Sequence, residues 1–108
     1  MKFVDAIADA VVAHGVALAV NLPDELTIFL SDALQSRGVR IVRPRHEQNG
    51  VLIADGYGRA GDGVGLCIVG AGPAIGQCGT ALVTAVKHRS NLLVPLGTVA
   101  PDARGAVK

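Results

Sequence analysis

A chain of 108 residues, half of them apolar and only 18% charged, suits one small domain with its own core and excludes a disordered chain. A net charge of +1 leaves no electrostatic footprint for nucleic acid or a membrane surface, and no run of 18 apolar residues offers a span. Fourteen glycines against two phenylalanines and one tyrosine point to close backbone packing and tight turns.

The elements follow from the apolar period. Phe3, Val4, Ile7, Ala8, Val11 and Val12 make a helical stripe, with Lys2, Asp5 and Asp9 off it, and Gly15 ends the helix. An amphipathic helix so near the start leaves no apparent signal peptide. Val16 to Val20 is a continuous apolar run, as a strand buried on both faces requires. Asn21-Leu22-Pro23-Asp24 is a loop, with Asp24 as N-cap of the next helix. Leu26, Phe29, Leu30, Ala33 and Leu34 form that helix's stripe, stopped at Gly38. A strand over 39–42, a helix over 47–60 and a strand over 64–69 come next. Gly70-Ala71-Gly72-Pro73 is a loop that opens a helix to about Arg89, with Ile75, Cys78, Gly79, Leu82 and Val86 inward. Leu92 to Leu96 is a fourth strand, and Pro95 predicts that it is an edge or ends early. After Gly97 no further element is clear. Four strands are few for a doubly wound domain, so the chain is expected to be part of something larger, truncated or dependent on a partner.

Helices alternating with strands predict an α/β domain: a parallel sheet with helices on both faces and right-handed crossovers. Cys67 falls in a strand and Cys78 in a helix, and both read as buried free thiols of a cytoplasmic protein.

Glu47 is one of only two glutamates and stands where the strand Arg40-Ile41-Val42 gives way to a helix. The carboxyl ends of strands form the ligand-binding rim of such sheets. The bland reading of Glu47 is a first-turn acid favoured by the helix dipole. Against it stands the small-residue helix that follows, where Gly50, Ala54, Gly58 and Gly61 would let another helix come close. An acid beside so packed a surface is partly desolvated and can share a proton with a ring nitrogen.

Arg45-His46-Glu47-Gln48 followed by Ala54-Asp55-Gly56-Tyr57-Gly58-Arg59-Ala60, with Gly70-Ala71-Gly72-Pro73 after the next strand, resembles the pyrimidine-binding domain of thiamine diphosphate-dependent enzymes. The likeness is to the acetolactate synthase and pyruvate oxidase branch and runs from about residue 3 to residue 100. It implies a flavodoxin-like three-layer fold, incomplete at the C-terminus, with residues 1–108 as the N-terminal, pyrimidine-binding domain. It implies that Glu47 hydrogen-bonds the N1′ atom of the aminopyrimidine ring and promotes the tautomer that removes the thiazolium C2 proton. Leu22, Pro23, Gly72 and Pro73 would line the same cleft. The cofactor would be thiamine diphosphate, of which this chain takes only the pyrimidine half. The domain that holds magnesium and the diphosphate is absent. The partner would be a second subunit or that diphosphate-binding domain, in a homo- or hetero-oligomer. The whole would cleave or join 2-oxo acids as a decarboxylase or carboligase, and the isolated chain would be inactive.

Two loops depart from the family pattern. Asn21-Leu22-Pro23-Asp24 lacks the glycines that often flank this proline, and its Pro-Asp pair is more similar to the sulfopyruvate and phosphonopyruvate decarboxylase branch. Gly70 stands where several relatives carry a hydroxyl residue. Both leave the substrate open.

Other patterns read as structure. Gly61-Asp62-Gly63 with Asn91 mimics the family's metal-diphosphate spacing, but both precede strands, so the first is a helix-to-strand turn and no metal site is assigned. Gly70-x-Gly72-x-x-x-Gly76 imitates a dinucleotide fingerprint, but its third glycine is one place late and no ribose-binding acid follows. The alternative function is accordingly a non-catalytic, flavodoxin-like nucleotide- or partner-binding module. His14 and His88 read as helix ends, His46 as a residue that orients its loop, and Asp55 with Arg59 as a surface ion pair.

Overall fold

The computed structural model describes residues 3–25, 27–61 and 63–97. The expected contributions of Lys2, Leu26 and Asp62, and of the stretch 98–108, lie outside them. The elements run α1 (Phe3–Ala13), β1 (Leu18–Asn21), α2 (Ile28–Ser36), β2 (Arg40–Val42), α3 (Glu47–Ala60), β3 (Gly65–Ile68), α4 (Pro73–Gln77), α5 (Gly79–Lys87) and β4 (Leu92–Leu93). All pairings are parallel and the strand order is β2-β1-β3-β4. This is the flavodoxin-like α/β arrangement expected from the alternation of patterns.

Strand pleating divides the core in two. Ala19, Ile41, Leu66 and Ile68 turn to one face and pack with Ala8, Leu34 and Val39 from around α1 and α2. Leu18, Val20, Val42, Cys67 and Val69 turn to the other and pack with Val51, Ala54, Cys78 and Ala81 from α3 and α5. A strand with both faces covered has no polar face, which is why these strands read as continuous apolar runs.

Helix ends follow local chemistry. Gly15 and Gly38 take φ of 84° and 86° just past α1 and α2, a left-handed conformation that side chains with a Cβ resist. The N-cap of α2 is Thr27 and not Asp24 as expected; Asp24 closes the turn before it, its Oδ1 accepting from the Thr27 N–H at 2.8 Å and its carbonyl from the Ile28 N–H at 3.1 Å. β4 is a short edge strand, with Leu96 rejoining the sheet opposite Val69 after Pro95.

One further expectation changes. The helix after Gly72 is not continuous to Arg89. It breaks at Cys78, whose backbone (φ −104°, ψ 12°) ends α4 and whose thiol turns back to the Ile75 carbonyl at 3.2 Å. The small-residue face of α3 packs within the chain: Gly50 lies against Pro44, Val20 and Cys67, Gly58 lies on the Asn91 backbone, and Ala54 shares a core with Cys78 and Ala81. What α3 shows to solvent is Leu52, Ile53 and Tyr57, and α5 shows Val83 and Val86.

Candidate functional site

Because the sheet is wholly parallel, every strand's carboxyl end lies on one edge. β1 is flanked by β2 and β3, so the loop holding Leu22 and Pro23 sits between Glu47, after β2, and Gly72-Pro73, after β3. All five expected site residues therefore share one rim. Leu22, Pro23 and Glu47 are half-buried, whereas Gly72 and Pro73 are exposed. The chain reverses its direction across the sheet at β1, the switch point at which such folds form a crevice.

Glu47 is the first residue of α3. The cap before it is His46, in extended backbone (φ −150°, ψ 144°), whose Nδ1 accepts the Gln48 N–H at 3.1 Å. The same ring reaches the β3 side of the rim, with Nε2 2.9 Å from Gln77 Oε1. His46 thus orients its loop. Glu47 lies near the α4–α5 junction: burial raises the Cys78 thiol's pKa, and the nearby Glu47 charge adds to the effect. Cys67 beneath it is pushed up to about 12, by burial first and the neighbouring Cys78 second. Both cysteines are free and buried.

The crevice between the loops after β1 and β3 is filled at its base by polar contacts that the sequence did not reveal. Asn21, expected in a loop, is the last residue of β1 and fully buried. Its Nδ2 donates to the Ile68 carbonyl at 3.0 Å and to Thr27 Oγ1 at 3.2 Å, and its Oδ1 accepts from Ser31 Oγ at 2.6 Å. Thr27 Oγ1 in turn donates to Asp24 Oδ1 at 2.9 Å. The other Asp24 oxygen lies over Gly70, and any Cβ there would collide with it. Spacing alone could not find this pair, since 46 residues of chain separate two loops that meet only when β1 pairs with β3.

The remaining patterns lie elsewhere. Asn91 Nδ2 donates to the Gly63 carbonyl at 3.0 Å, on the edge opposite Glu47, so its amide ties the turn before β3 to the turn before β4. The helix opened by Gly72 and Pro73 has only five residues, too few for a strong anion-binding dipole. His14 and His88 bond back to the carbonyls four residues earlier, as helix ends. Asp55 is not at the surface: its side chain is buried, Arg59 donates to both of its oxygens at 2.9 and 3.1 Å, and these bonds hold its carboxyl below the usual range against the opposing effect of burial.

Residues 1–105 match the family described as thiamine pyrophosphate enzyme, N-terminal TPP binding domain. The chain belongs to this family. It is 33% identical over 93 residues to the acetolactate synthase of Bacillus subtilis, covering 86% of this chain and 16% of that protein. It is 31% identical over 99 residues to the probable acetolactate synthase large subunit of Methanocaldococcus jannaschii, covering 92% and 17%. It is 36% identical over 81 residues to the probable 2-ketoarginine decarboxylase AruI of Pseudomonas aeruginosa, covering 75% and 14%. The matched stretch is thus less than a fifth of each of these relatives, one part of a much longer protein. Among the described residues, no helix is long and apolar enough to cross a membrane.

Proposed function

We propose that this chain supplies the pyrimidine-binding half of a thiamine diphosphate-dependent site acting on 2-oxo acids, as a carboligase or a decarboxylase. The observation that carries the reading is the common rim, with an acid at the first position of α3 and the Gly72-Pro73 loop on the two sides of β1. The residues fit a flat, basic heteroaromatic ring. Glu47 is half-buried, and among the described residues its carboxylate has no hydrogen-bond or ion-pair partner. Gly72 leaves open space where a side chain would stand, so a ring can approach its backbone.

When bound, thiamine diphosphate supplies a nucleophilic carbon and an electron sink for 2-oxo acid chemistry. Glu47 holds a proton against a nitrogen of the pyrimidine ring. Leu22 and Pro23 give that ring an apolar wall and exclude water from one side. The diphosphate and magnesium fall to a domain outside this chain, and the exposed Leu52, Ile53 and Tyr57 of α3 offer a surface for that domain or a second subunit. The five-residue length of α4 disfavours the alternative, a nucleotide-binding module, whose phosphate would need a stronger helix terminus.

The test is hydrogen–deuterium exchange at C2 of thiamine diphosphate bound to the complete holoenzyme. Glu47→Gln keeps the shape and removes the acid, so exchange slows by at least ~10²-fold, as for a lost acid–base group. Equal rates return Glu47 to the role of a helix-start acid.

A further inference from the structure

The geometry points to Gln77 as a positioning residue for Glu47, acting through the ring of His46; the inference rests on the role proposed for Glu47 above. His46 is the residue immediately before Glu47, so its cap sets the backbone on which that carboxylate is carried. A ring nitrogen that accepts a hydrogen bond carries no proton. Nδ1 accepts from the Gln48 N–H, so the proton of the neutral ring stands on Nε2, the atom 2.9 Å from Gln77 Oε1. The two bonds select the same tautomer. Gln77 keeps the proton on Nε2, and Nδ1 stays free to cap. Without that acceptor the ring can take up its proton at Nδ1, which would then face the Gln48 N–H donor to donor.

The choice of residue supports this. Asn, Asp, Ser and Thr are the strong N-caps. Histidine is not among them, but it has a second nitrogen that they lack, and here that nitrogen spans 31 residues of sequence to the far side of the rim. The break at Cys78 belongs to the same arrangement. It ends α4 at Gln77, the residue whose side chain makes the contact across the rim. The loops after β2 and β3 are thereby joined at the place where Glu47 must be held at a fixed distance from a ring. Gln77 is exposed, so substituting it leaves the core intact.

The test uses the 108-residue chain, labelled with 15N, in mildly alkaline buffer. In the wild type, long-range proton–nitrogen correlation should find the His46 proton on Nε2, and the Gln48 amide should be protected from exchange. Gln77→Leu should give mixed tautomers and about fivefold faster Gln48 exchange, the loss expected of a weakened cap. Gln77→Glu keeps an oxygen acceptor and should restore both. In the complete holoenzyme, Gln77→Leu should slow C2 exchange of bound thiamine diphosphate about tenfold while changing its Kd less than about twofold. Gln77→Glu should recover the rate, and His46→Asn, a cap without a bridge, should not. A wild-type proton on Nδ1, or Gln48 exchange unchanged in Gln77→Leu, overturns the bridge whatever Glu47 does. A verified bridge with Glu47→Gln silent overturns the role of Glu47 instead. A verified bridge with a slow Glu47→Gln and a normal Gln77→Leu overturns the positioning role alone.

Discussion

The Asp24 carboxylate occupies the space that a side chain at residue 70 would need, so the loops after β1 and β3 constrain each other at these two positions. One oxygen of Asp24 is held by the N–H and hydroxyl of Thr27, and the other covers Gly70. A hydroxyl residue at position 70 and this placement of Asp24 exclude each other. Gly70→Ser should therefore destabilise the chain by about 1–3 kcal/mol, the usual range for overpacking. Asp24→Ala should cost about 1 kcal/mol through the lost hydrogen bonds from Thr27. The double variant should cost less than the sum by at least about 0.5 kcal/mol, because removing Asp24 makes room for the serine. Urea midpoints of the four proteins measure the coupling, and simple additivity would dissociate the two positions.

The glycines of α3 are not equivalent. Gly58 lies on the Asn91 backbone, whereas Gly56 has open space around it. Gly58→Ala should cost about 1–3 kcal/mol, since a backbone carbonyl cannot yield as a flexible side chain can. Gly56→Ala should stabilise the chain by about 0.5–1 kcal/mol, from the better helix propensity of alanine. Thermal melts of the two variants, moving in opposite directions from the wild type, are the expected result.

Asp55 carries a pH dependence whose sign is fixed. Its carboxyl is held below its ordinary value, chiefly by the Arg59 hydrogen bonds. A depressed folded-state value means that the unfolded chain binds the proton more readily, so stability falls as pH falls. The contribution is fully present above the unfolded value of about 3.9 and is lost as pH drops through the folded value. Asp55→Asn should accordingly be less stable than wild type at neutral pH, and the gap should narrow in acid. Denaturant midpoints across the acid range read it directly, and a gap independent of pH would refute the assignment.

Cys67 should be chemically silent. Its thiol is buried and pushed up to about 12, so almost no thiolate exists at neutral pH. Iodoacetamide should leave it unmodified in the folded chain and label it in denaturant. Labelling under native conditions at the rate of a free thiol would show that β3 opens locally.

The isolated 108-residue chain should turn over no 2-oxo acid, with or without added magnesium and thiamine diphosphate. On the proposed function the rim would hold only the pyrimidine ring, which leaves the diphosphate without an anchor. Measurable carbon dioxide release from pyruvate by the purified chain would contradict the division of the site between domains.

Read alone, the sequence determined the order and type of nearly every element, because continuous apolar runs and helical stripes are local signals that burial of both sheet faces enforces. It also singled out Glu47, His46 and the Gly72-Pro73 loop, since strand-to-helix junctions in a parallel sheet fall on one edge whatever the packing. Tertiary structure decided what depends on approach between distant segments. The inward turn of Gly50 and Gly58, the burial of Asp55 and Asn21, the Asp24 carboxylate over Gly70 and the ring of His46 against Gln77 all arise where strands or helices far apart in sequence come together. The break at Cys78 belongs with them. A local pattern of apolar residues fits one continuous helix, and only the packing around the rim shows where it divides. Periodicity records which side of an element is buried, whereas the partner that buries it is set by pairing between strands, which no spacing encodes.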